Sequence, residues 1–244
     1  MNALVLIHAF PLDASMWEPQ VEVFGARVSC VAPDLPGFGG APPAGDAMTM
    51  ELAARRCLEA IEESGLDQAV VCGLSMGGYV ALELWRRAPQ RFAGLVLANT
   101  RAGADAEEAA SARRALAERL GSEGSGFLVE KPPPLLTADA PEELWARVKG
   151  IIAAQPASAI AAAALGMAER PDSTGDLAGI SVPTVVVTSS GDTLIPPDAT
   201  TPMAGQIPGA TLRIIEGAGH LSNLQSPEAF NDVLSEALGR AGIA

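Results

Sequence analysis

The sequence is poor in the basic residues that several common classes of binding protein require. Its 16 Lys and Arg residues are outnumbered by 29 Asp and Glu residues, which gives a formal net charge of −13. Nucleic acids and anionic membrane surfaces both need clustered basic side chains, so neither is expected as a partner. The acidic balance also disfavours a polyanionic substrate, although one local arginine would reverse that preference.

Cysteine, histidine and long apolar runs are scarce as well. The three cysteines, Cys30, Cys57 and Cys72, form no CxxC pair, and the chain has only two histidines. We therefore expect free thiols in a reducing compartment, with no structural metal and no cofactor. The longest apolar stretch, residues 157–168, is shorter than the ~20 residues that a bilayer requires. Since the start MNALVLIHAF also lacks a basic signal region, a soluble, cytoplasmic protein is expected.

Short apolar runs alternate with segments of helical period along the chain. With 244 residues, 48% of them hydrophobic, the chain can bury the core of one large α/β domain. The runs are nearly continuous in hydrophobicity, as expected of strands covered on both faces of a parallel sheet. Strands are predicted at 3–7, 27–32, 69–72, 94–98, 184–188 and 211–215. Helices are predicted at 49–64, 77–87, 197–206 and 227–238.

Residues 101–172 break this alternation. They show only an alanine-rich helical pattern, interrupted by GSEGSG and KPPP. We interpret the segment as a helical cap inserted between strands of a core that residues 1–100 and 173–244 form. The alternative is an ordinary cluster of packed helices with no role at a functional site.

The stretch VVCGLSMGGYVALEL, residues 70–84, places a serine between glycines where an apolar strand turns directly into a helix. Gly73-Leu74-Ser75-Met76-Gly77 matches the G-x-S-x-G pattern of a nucleophile elbow. So tight a turn predicts a strained backbone at Ser75, with glycines beside it to avoid clashes with strand and helix. The hydroxyl would then project from the turn, near the positive end of a helix dipole.

A serine needs a base to act as a nucleophile, and two histidines are available. His220 lies in a Gly-rich loop after the last predicted strand, and such loops converge at the carboxyl ends of parallel strands. His8, in HAFP, is interpreted as a turn residue. Asp192 follows the strand TVVVT and is predicted to orient His220. Asp198 and Asp176 are rival carboxylates, the first a candidate helix start and the second a candidate surface turn.

Stabilising an oxyanion takes backbone donors that are already in place. The sequence predicts Met76 N–H as one donor. The loop HAFPLDASMW after the first strand offers Phe10 N–H as the other. Arg101, Leu194 and Leu221 are further candidates for contact with a substrate.

These motifs together resemble the α/β-hydrolase superfamily, most closely its small esterases, cofactor-free haloperoxidases and 3-oxoadipate enol-lactonase-like members. The resemblance is carried by LIHAFPLDASMW, PDLPGFGG, GLSMGGYVALEL, VPTVVVTSSGDTLIP and GAGHLSNLQSPEAFN. It implies an α/β-hydrolase fold in which Ser75, Asp192 and His220 form the catalytic triad, in the superfamily's chain order. Phe10 and Met76 would be the oxyanion donors.

The chain departs from the superfamily pattern in three places. The usual His-Gly after the first strand is His8-Ala9, the loop PDLPGFGG lacks the Ser that usually ends that pattern, and the N-terminal β-hairpin is missing. We therefore expect a mostly parallel sheet of about six strands, flanked by helices, with the strand RVSCVA at one edge. That edge is a possible homodimer surface.

The resemblance implies hydrolysis of a small carboxylic ester through an acyl-enzyme. Superfamily members that attack alkyl carbon have aspartate at the elbow, whereas this chain has Ser75 there. The Ala, Leu and Met residues of the expected cap favour short acyl chains. The alternatives are an enol-lactone hydrolase, whose acidic substrate Arg101 would bind, and a carbon–carbon bond hydrolase. Peracid formation at Ser75 is a plausible side activity. A ligand-binding protein that kept the fold without turnover is the non-enzymatic alternative.

Overall fold

Six strands form one parallel sheet. In the computed structural model, which describes residues 3–243, they are β1 (Ala3–Ile7), β2 (Ser29–Val31), β3 (Ala69–Leu74), β4 (Phe92–Ala98), β5 (Thr184–Ser189) and β6 (Thr211–Ile215). Their order across the sheet is β2-β1-β3-β4-β5-β6, and every neighbouring pair is parallel. All six predicted strands are confirmed. The strand predicted from RVSCVA is shorter than expected and does lie at an edge.

The helices agree with the prediction less closely than the strands. They are α1 (Glu18–Phe24), α2 (Met50–Glu63), α3 (Met76–Arg87), α4 (Glu107–Glu123), α5 (Gly126–Glu130), α6 (Glu142–Ala154), α7 (Ala157–Ala168), α8 (Pro197–Thr200), α9 (Pro202–Gln206), α10 (Ser222–Gln225) and α11 (Pro227–Arg240). The single helix predicted at 197–206 is two short helices, because Pro202 has no N–H with which to continue α8. Helix α1 was not predicted, since a seven-residue helix with two buried side chains gives little periodicity.

The sheet lies at the centre of the core. Strands β1, β3 and β5 are buried along their whole length, as strands covered on both faces should be. Helix α3 packs against β1, β3 and β4, and α11 packs against β4, β5 and β6. Because all strands are parallel, their carboxyl ends meet at one edge of the sheet, where the loops that carry Ser75, Asp192 and His220 begin.

The described chain between β4 and β5 contains helices and no strand. Helix α4 packs against α7, and α5 packs against α6. No single helix among residues 3–243 has both the length and the apolar character to cross a membrane. Helices α6 and α7 meet that criterion only when taken as a pair, which is bent by 93°.

Helix α3 approaches β1 so closely that position 77 has no room for a side chain. A Cβ on Gly77 would lie 2.7 Å from the Ile7 carbonyl carbon and closer still to its oxygen. Gly77→Ala is expected to lower the free energy of unfolding by about 3 kcal/mol, because helix and strand must move apart. Urea denaturation measures the change.

Gly121→Ala in α4 is the matched control for this prediction. Nothing lies within 4 Å of a Cβ at position 121, so helix propensity predicts a gain of up to about 1 kcal/mol. A Gly77→Ala protein as stable as the wild type would contradict the close packing of α3 on β1.

Candidate active site

Ser75 lies in the turn between β3 and α3 with a strained backbone. Its φ of 57° and ψ of −116° fall where non-glycine residues are rarely found. The Ser75 N–H donates to the Ala98 carbonyl over 2.9 Å, and the Ser75 carbonyl accepts from Gly78 N–H at 2.9 Å and from Thr100 Oγ1 at 2.8 Å. The surrounding chain therefore holds the strain in place, and the predicted conformation of Ser75 is confirmed.

The glycines around Ser75 are needed because strand, turn and helix touch one another. A Cβ on Gly73 would lie 2.7 Å from the Gly78 nitrogen, and a Cβ on Gly78 would lie 2.6 Å from the Thr100 Cβ. Real Cβ atoms do not approach other atoms so closely. These glycines let α3 begin directly after the serine.

His220 and Asp192 form a buried hydrogen-bonded pair. His220 Nδ1 lies 2.8 Å from Asp192 Oδ2, and both side chains are fully buried. The other carboxylate oxygen, Oδ1, accepts from the N–H groups of Leu194 and Ile195, each at 2.9 Å. Burial raises the pKa of Asp192, but its interactions with His220 and its hydrogen bonds from Ile195 N–H and Asn99 together bring the pKa below its ordinary value. An ionised Asp192 keeps the His220 proton on Nδ1.

Asn99 also contacts this carboxylate, and sequence reasoning missed it. It follows β4 with a φ of 46°, and its Nδ2 donates to Asp192 Oδ2 at 2.9 Å. Its Oδ1 accepts from Ser222 Oγ at 2.7 Å. The available signal was a polar residue directly after a buried strand, at the same sheet edge as the other site residues.

The second ring nitrogen of His220 is available to accept a proton. Nε2 is buried and makes no hydrogen bond with Ser75 or with any other described residue. Ser75 is 7% exposed and lines a cavity of about 430 Å³. Catalytic hydrogen bonds are commonly longer before a substrate binds.

Two backbone N–H groups are candidates for holding an oxyanion. Met76 is the first residue of α3, so its N–H has no acceptor within the helix. Phe10 lines the cavity with Ser75, and its N–H has no backbone acceptor among residues 3–243. Both groups were predicted as donors.

Both ring nitrogens of His8 contact other backbone groups. Its Nε2 accepts from Leu35 N–H at 3.0 Å, and its Nδ1 lies 3.1 Å from the Ala9 carbonyl oxygen. Burial lowers the pKa of His8, which favours the neutral ring that this geometry requires. His8 lies just before the turn at Phe10 and Pro11, and His220 is the histidine whose ring is paired with Asp192.

The rival carboxylates lie away from His220. Asp176 Oδ2 binds Arg86 Nη2 at 2.6 Å. Asp198 is exposed in the first turn of α8. Neither is a partner of the imidazole, which leaves Asp192 as the carboxylate that orients it.

Comparison with known proteins agrees with this fold. The sequence model of the alpha/beta hydrolase family matches residues 4–233. The chain belongs to the alpha/beta hydrolase family. The hydrolase is 38% identical to a thermophilic esterase from Thermogutta terrifontis, solved with malate bound, with a TM-score of 0.95 over 99% of this chain and 90% of that one.

Two enol-lactonases are also similar to the hydrolase. The structure of the enol-lactonase from Burkholderia xenovorans LB400 is 27% identical, with a TM-score of 0.87 over 98% of this chain and 91% of that one. The 3-oxoadipate enol-lactonase 1 of Acinetobacter baylyi is 28% identical over 237 residues, 96% of this chain and 87% of its own length. The predicted superfamily and fold are confirmed, and the protein is a hydrolase.

The lining of the cavity is mostly apolar. Loops after β1 and β5 contribute Phe10, Leu194 and Ile195, and helices α4, α5 and α7 contribute Leu116, Leu128 and Met167. Such a wall suits an aliphatic or aromatic ligand of modest size.

The structure places the three predicted substrate contacts in different environments. Leu194 lines the cavity. Arg101 lines it too, but its guanidinium is paired with buried Asp105. Leu221 is fully buried, is not among the lining residues, and donates its N–H to the Leu135 carbonyl over 2.8 Å. The prediction that Leu221 contacts the substrate is therefore wrong: this N–H anchors the loop to the helical segment, and the side chain is enclosed in the core.

Asp105 is held by three guanidiniums. Besides Arg101, it binds Arg113 Nε at 2.6 Å and Arg170 Nη1 at 2.8 Å. Burial raises the pKa of Asp105, but the hydrogen bonds and charges of Arg170 and Arg113 bring it below its ordinary value. Asp105 is therefore ionised and ties the segment after β4 to helix α4 and to the chain after α7.

No three His, Cys, Asp or Glu side chains within residues 3–243 are grouped to hold a metal ion. Cys57 and Cys72 are buried, and burial raises the pKa of both thiols. Buried thiols with raised pKa values are poor nucleophiles.

Proposed function

We propose that the hydrolase cleaves small carboxylic esters, with Ser75 as nucleophile, His220 as general base and Asp192 as the residue that orients His220. The observation that carries this proposal is the buried 2.8 Å bond between His220 Nδ1 and Asp192 Oδ2, with Nε2 unpartnered among the described residues. That bond fixes the tautomer in which Nε2 can take a proton from the serine.

The reaction would proceed in two halves. Ser75 Oγ attacks the ester carbonyl carbon while His220 Nε2 takes the hydroxyl proton, and His220 then gives that proton to the departing alcohol as the C–O bond breaks. A water molecule attacks the acyl-enzyme by the same proton route and releases the acid. Asp192 stabilises the imidazolium that forms in each half.

The oxyanion would be held by Phe10 N–H and Met76 N–H. Each such donor is worth about 3 kcal/mol in a transition state. The positive end of the α3 dipole adds to the Met76 contribution, since negative charge is favoured at a helix N-terminus.

Residues 101–172 would act as a cap over the site. Helices α4, α5 and α7 of this segment supply one wall of the cavity. The apolar side chains of that wall would bind the acyl or alcohol group of a short ester.

Enol-lactone hydrolysis is the second candidate function. The chemistry is the same acyl transfer on a cyclic ester, and two of the similar proteins are named enol-lactonases. Because the Arg101 guanidinium is already paired with Asp105, Arg101 is a poor ligand for the carboxylate of such a substrate.

Labelling by a fluorophosphonate tests the proposed nucleophile. We expect one label per molecule on the peptide that contains Ser75, with loss of p-nitrophenyl butyrate hydrolysis in proportion to labelling. The peptides that contain the buried serines Ser189 and Ser222 serve as internal controls and stay unlabelled. A protein that neither hydrolyses the ester nor takes up the label would contradict the proposed function.

A further inference from the structure

The cavity that contains Ser75 is lined with cations. Arg101, Arg113, Arg119 and Lys131 line it, and none of the described lining residues is Asp or Glu. The chain as a whole has 29 acidic and 16 basic residues, so the cavity reverses the overall charge balance. A negatively charged ligand is therefore attracted to this cavity, although the net charge of the whole protein is negative.

The carboxylates beside these cations neutralise only part of the charge. Asp105 is shared by three guanidiniums, as described above, and Glu123 binds Arg119 over 2.9 Å. Four lining cations against these two carboxylates leave two positive charges in excess around the cavity. Lys131 makes no ion pair with any residue that the structure describes.

Two of the lining cations belong to residues that contact Phe127. The Arg119 guanidinium carbon lies 3.7 Å from the centroid of the Phe127 ring, which also lines the cavity. Lys131 follows one helical turn later and donates its N–H to the Phe127 carbonyl over 3.0 Å. Stacking on Phe127 restrains Arg119, so that less freedom is lost when it binds an anion.

We propose that the substrate of the hydrolase is an ester or lactone that carries a free carboxylate, which Lys131 and Arg119 bind; this rests on the proposed ester hydrolysis at Ser75. The cations line a cavity of about 430 Å³, the size of a small-molecule site. A small carboxylate therefore fits better than an acidic protein surface. The apolar side chains of the same wall contact the chain that joins the carboxylate to the ester.

A series of three esters with one acyl length measures the charge preference. The substrates are p-nitrophenyl hexanoate, p-nitrophenyl hydrogen adipate and p-nitrophenyl 6-aminohexanoate, which are neutral, anionic and cationic at the far end. We expect kcat/KM for the anionic ester to exceed that for the neutral one by about 10- to 100-fold, the range for hydrogen bonds to a charged group. The cationic ester should be the poorest, and added salt should reduce the spread.

Variants at Lys131 assign the preference to the proposed site. Lys131→Gln should lower the anionic-to-neutral ratio of kcat/KM about tenfold, and Lys131→Glu should bring it below one. Lys149→Gln is the matched control, because Lys149 lies in α6 and does not line the cavity; it should leave the ratio unchanged. The ratio is internal to each protein, so a partly unfolded variant does not distort it.

The outcomes separate this inference from the proposed function. Hydrolysis of hexanoate with no preference for the anionic ester, or a preference that survives Lys131→Glu, overturns the carboxylate site alone. If no ester is hydrolysed and Ser75 takes no label, the proposed function fails. Calorimetric binding of adipate then decides the site: the wild type should bind it at least about tenfold more tightly than Lys131→Glu, and equal or absent binding overturns the site.

Discussion

Ser75→Ala is expected to lower kcat for p-nitrophenyl butyrate by about a million-fold, as removal of the serine does in an enzyme known to use a Ser-His-Asp triad. The fold should survive, because the structure holds the Ser75 backbone through Ala98, Gly78 and Thr100 rather than through its hydroxyl. Stopped-flow assays measure the fast wild-type rate and overnight assays the slow rate of the variant. Circular dichroism checks the fold.

Ser158→Ala is the matched control for the loss of a serine hydroxyl. Ser158 is exposed on α7, and its side chain makes no hydrogen bond with any described residue. Its removal should leave kcat within twofold of the wild type. More than one per cent of wild-type activity in Ser75→Ala would assign the nucleophile to another group.

Asp192→Asn is expected to lower kcat by about ten-thousand-fold, because it would change the tautomer of His220. Leu194 N–H and Ile195 N–H donate to Asp192 Oδ1 and would hold the amide oxygen of an asparagine in that place. The amide NH₂ would then replace Oδ2 and donate to His220 Nδ1. The histidine proton would move to Nε2, which could no longer accept one from Ser75.

Asn99 opposes this orientation of the amide. Its Nδ2 donates to Asp192 Oδ2, and its own carbonyl oxygen is held by Ser222 Oγ, so it would meet an NH₂ group at that place with a donor. The two backbone donors that hold the amide oxygen at the other place outweigh this single side-chain donor. Asp198→Asn, in the exposed first turn of α8, is the matched control and should keep full activity. An Asp192→Asn protein within tenfold of the wild type would show that the tautomer is set by other contacts.

The elbow could be predicted from the sequence because its cause is local. A serine held at positive φ between a strand and a helix needs small neighbours within three residues on either side, and Gly73, Gly77 and Gly78 supply them. The central strands β1, β3, β4 and β5 were predictable for a related reason. Strands buried on both faces must be apolar along their length, so each is visible as a short run.

Features that depend on distant residues were missed or misjudged. Asn99 and Asp192 are 93 positions apart and meet only because β4 and β5 are neighbours in the sheet. Leu221 is adjacent to His220 in the chain, yet its N–H binds Leu135 and its side chain is enclosed in the core. The sequence order of two residues does not tell which side of a loop each one faces.

The fold class and the serine at its sharp turn were thus determined by the sequence alone, since backbone strain and strand burial constrain consecutive residues. The tertiary structure alone decided which groups surround that serine. Asn99 at the Asp192 carboxylate, the arginines of α4 at Asp105 and in the cavity wall, and Lys131 after α5 come from separate parts of the chain. Only the packing of helices over the sheet brings their charges together.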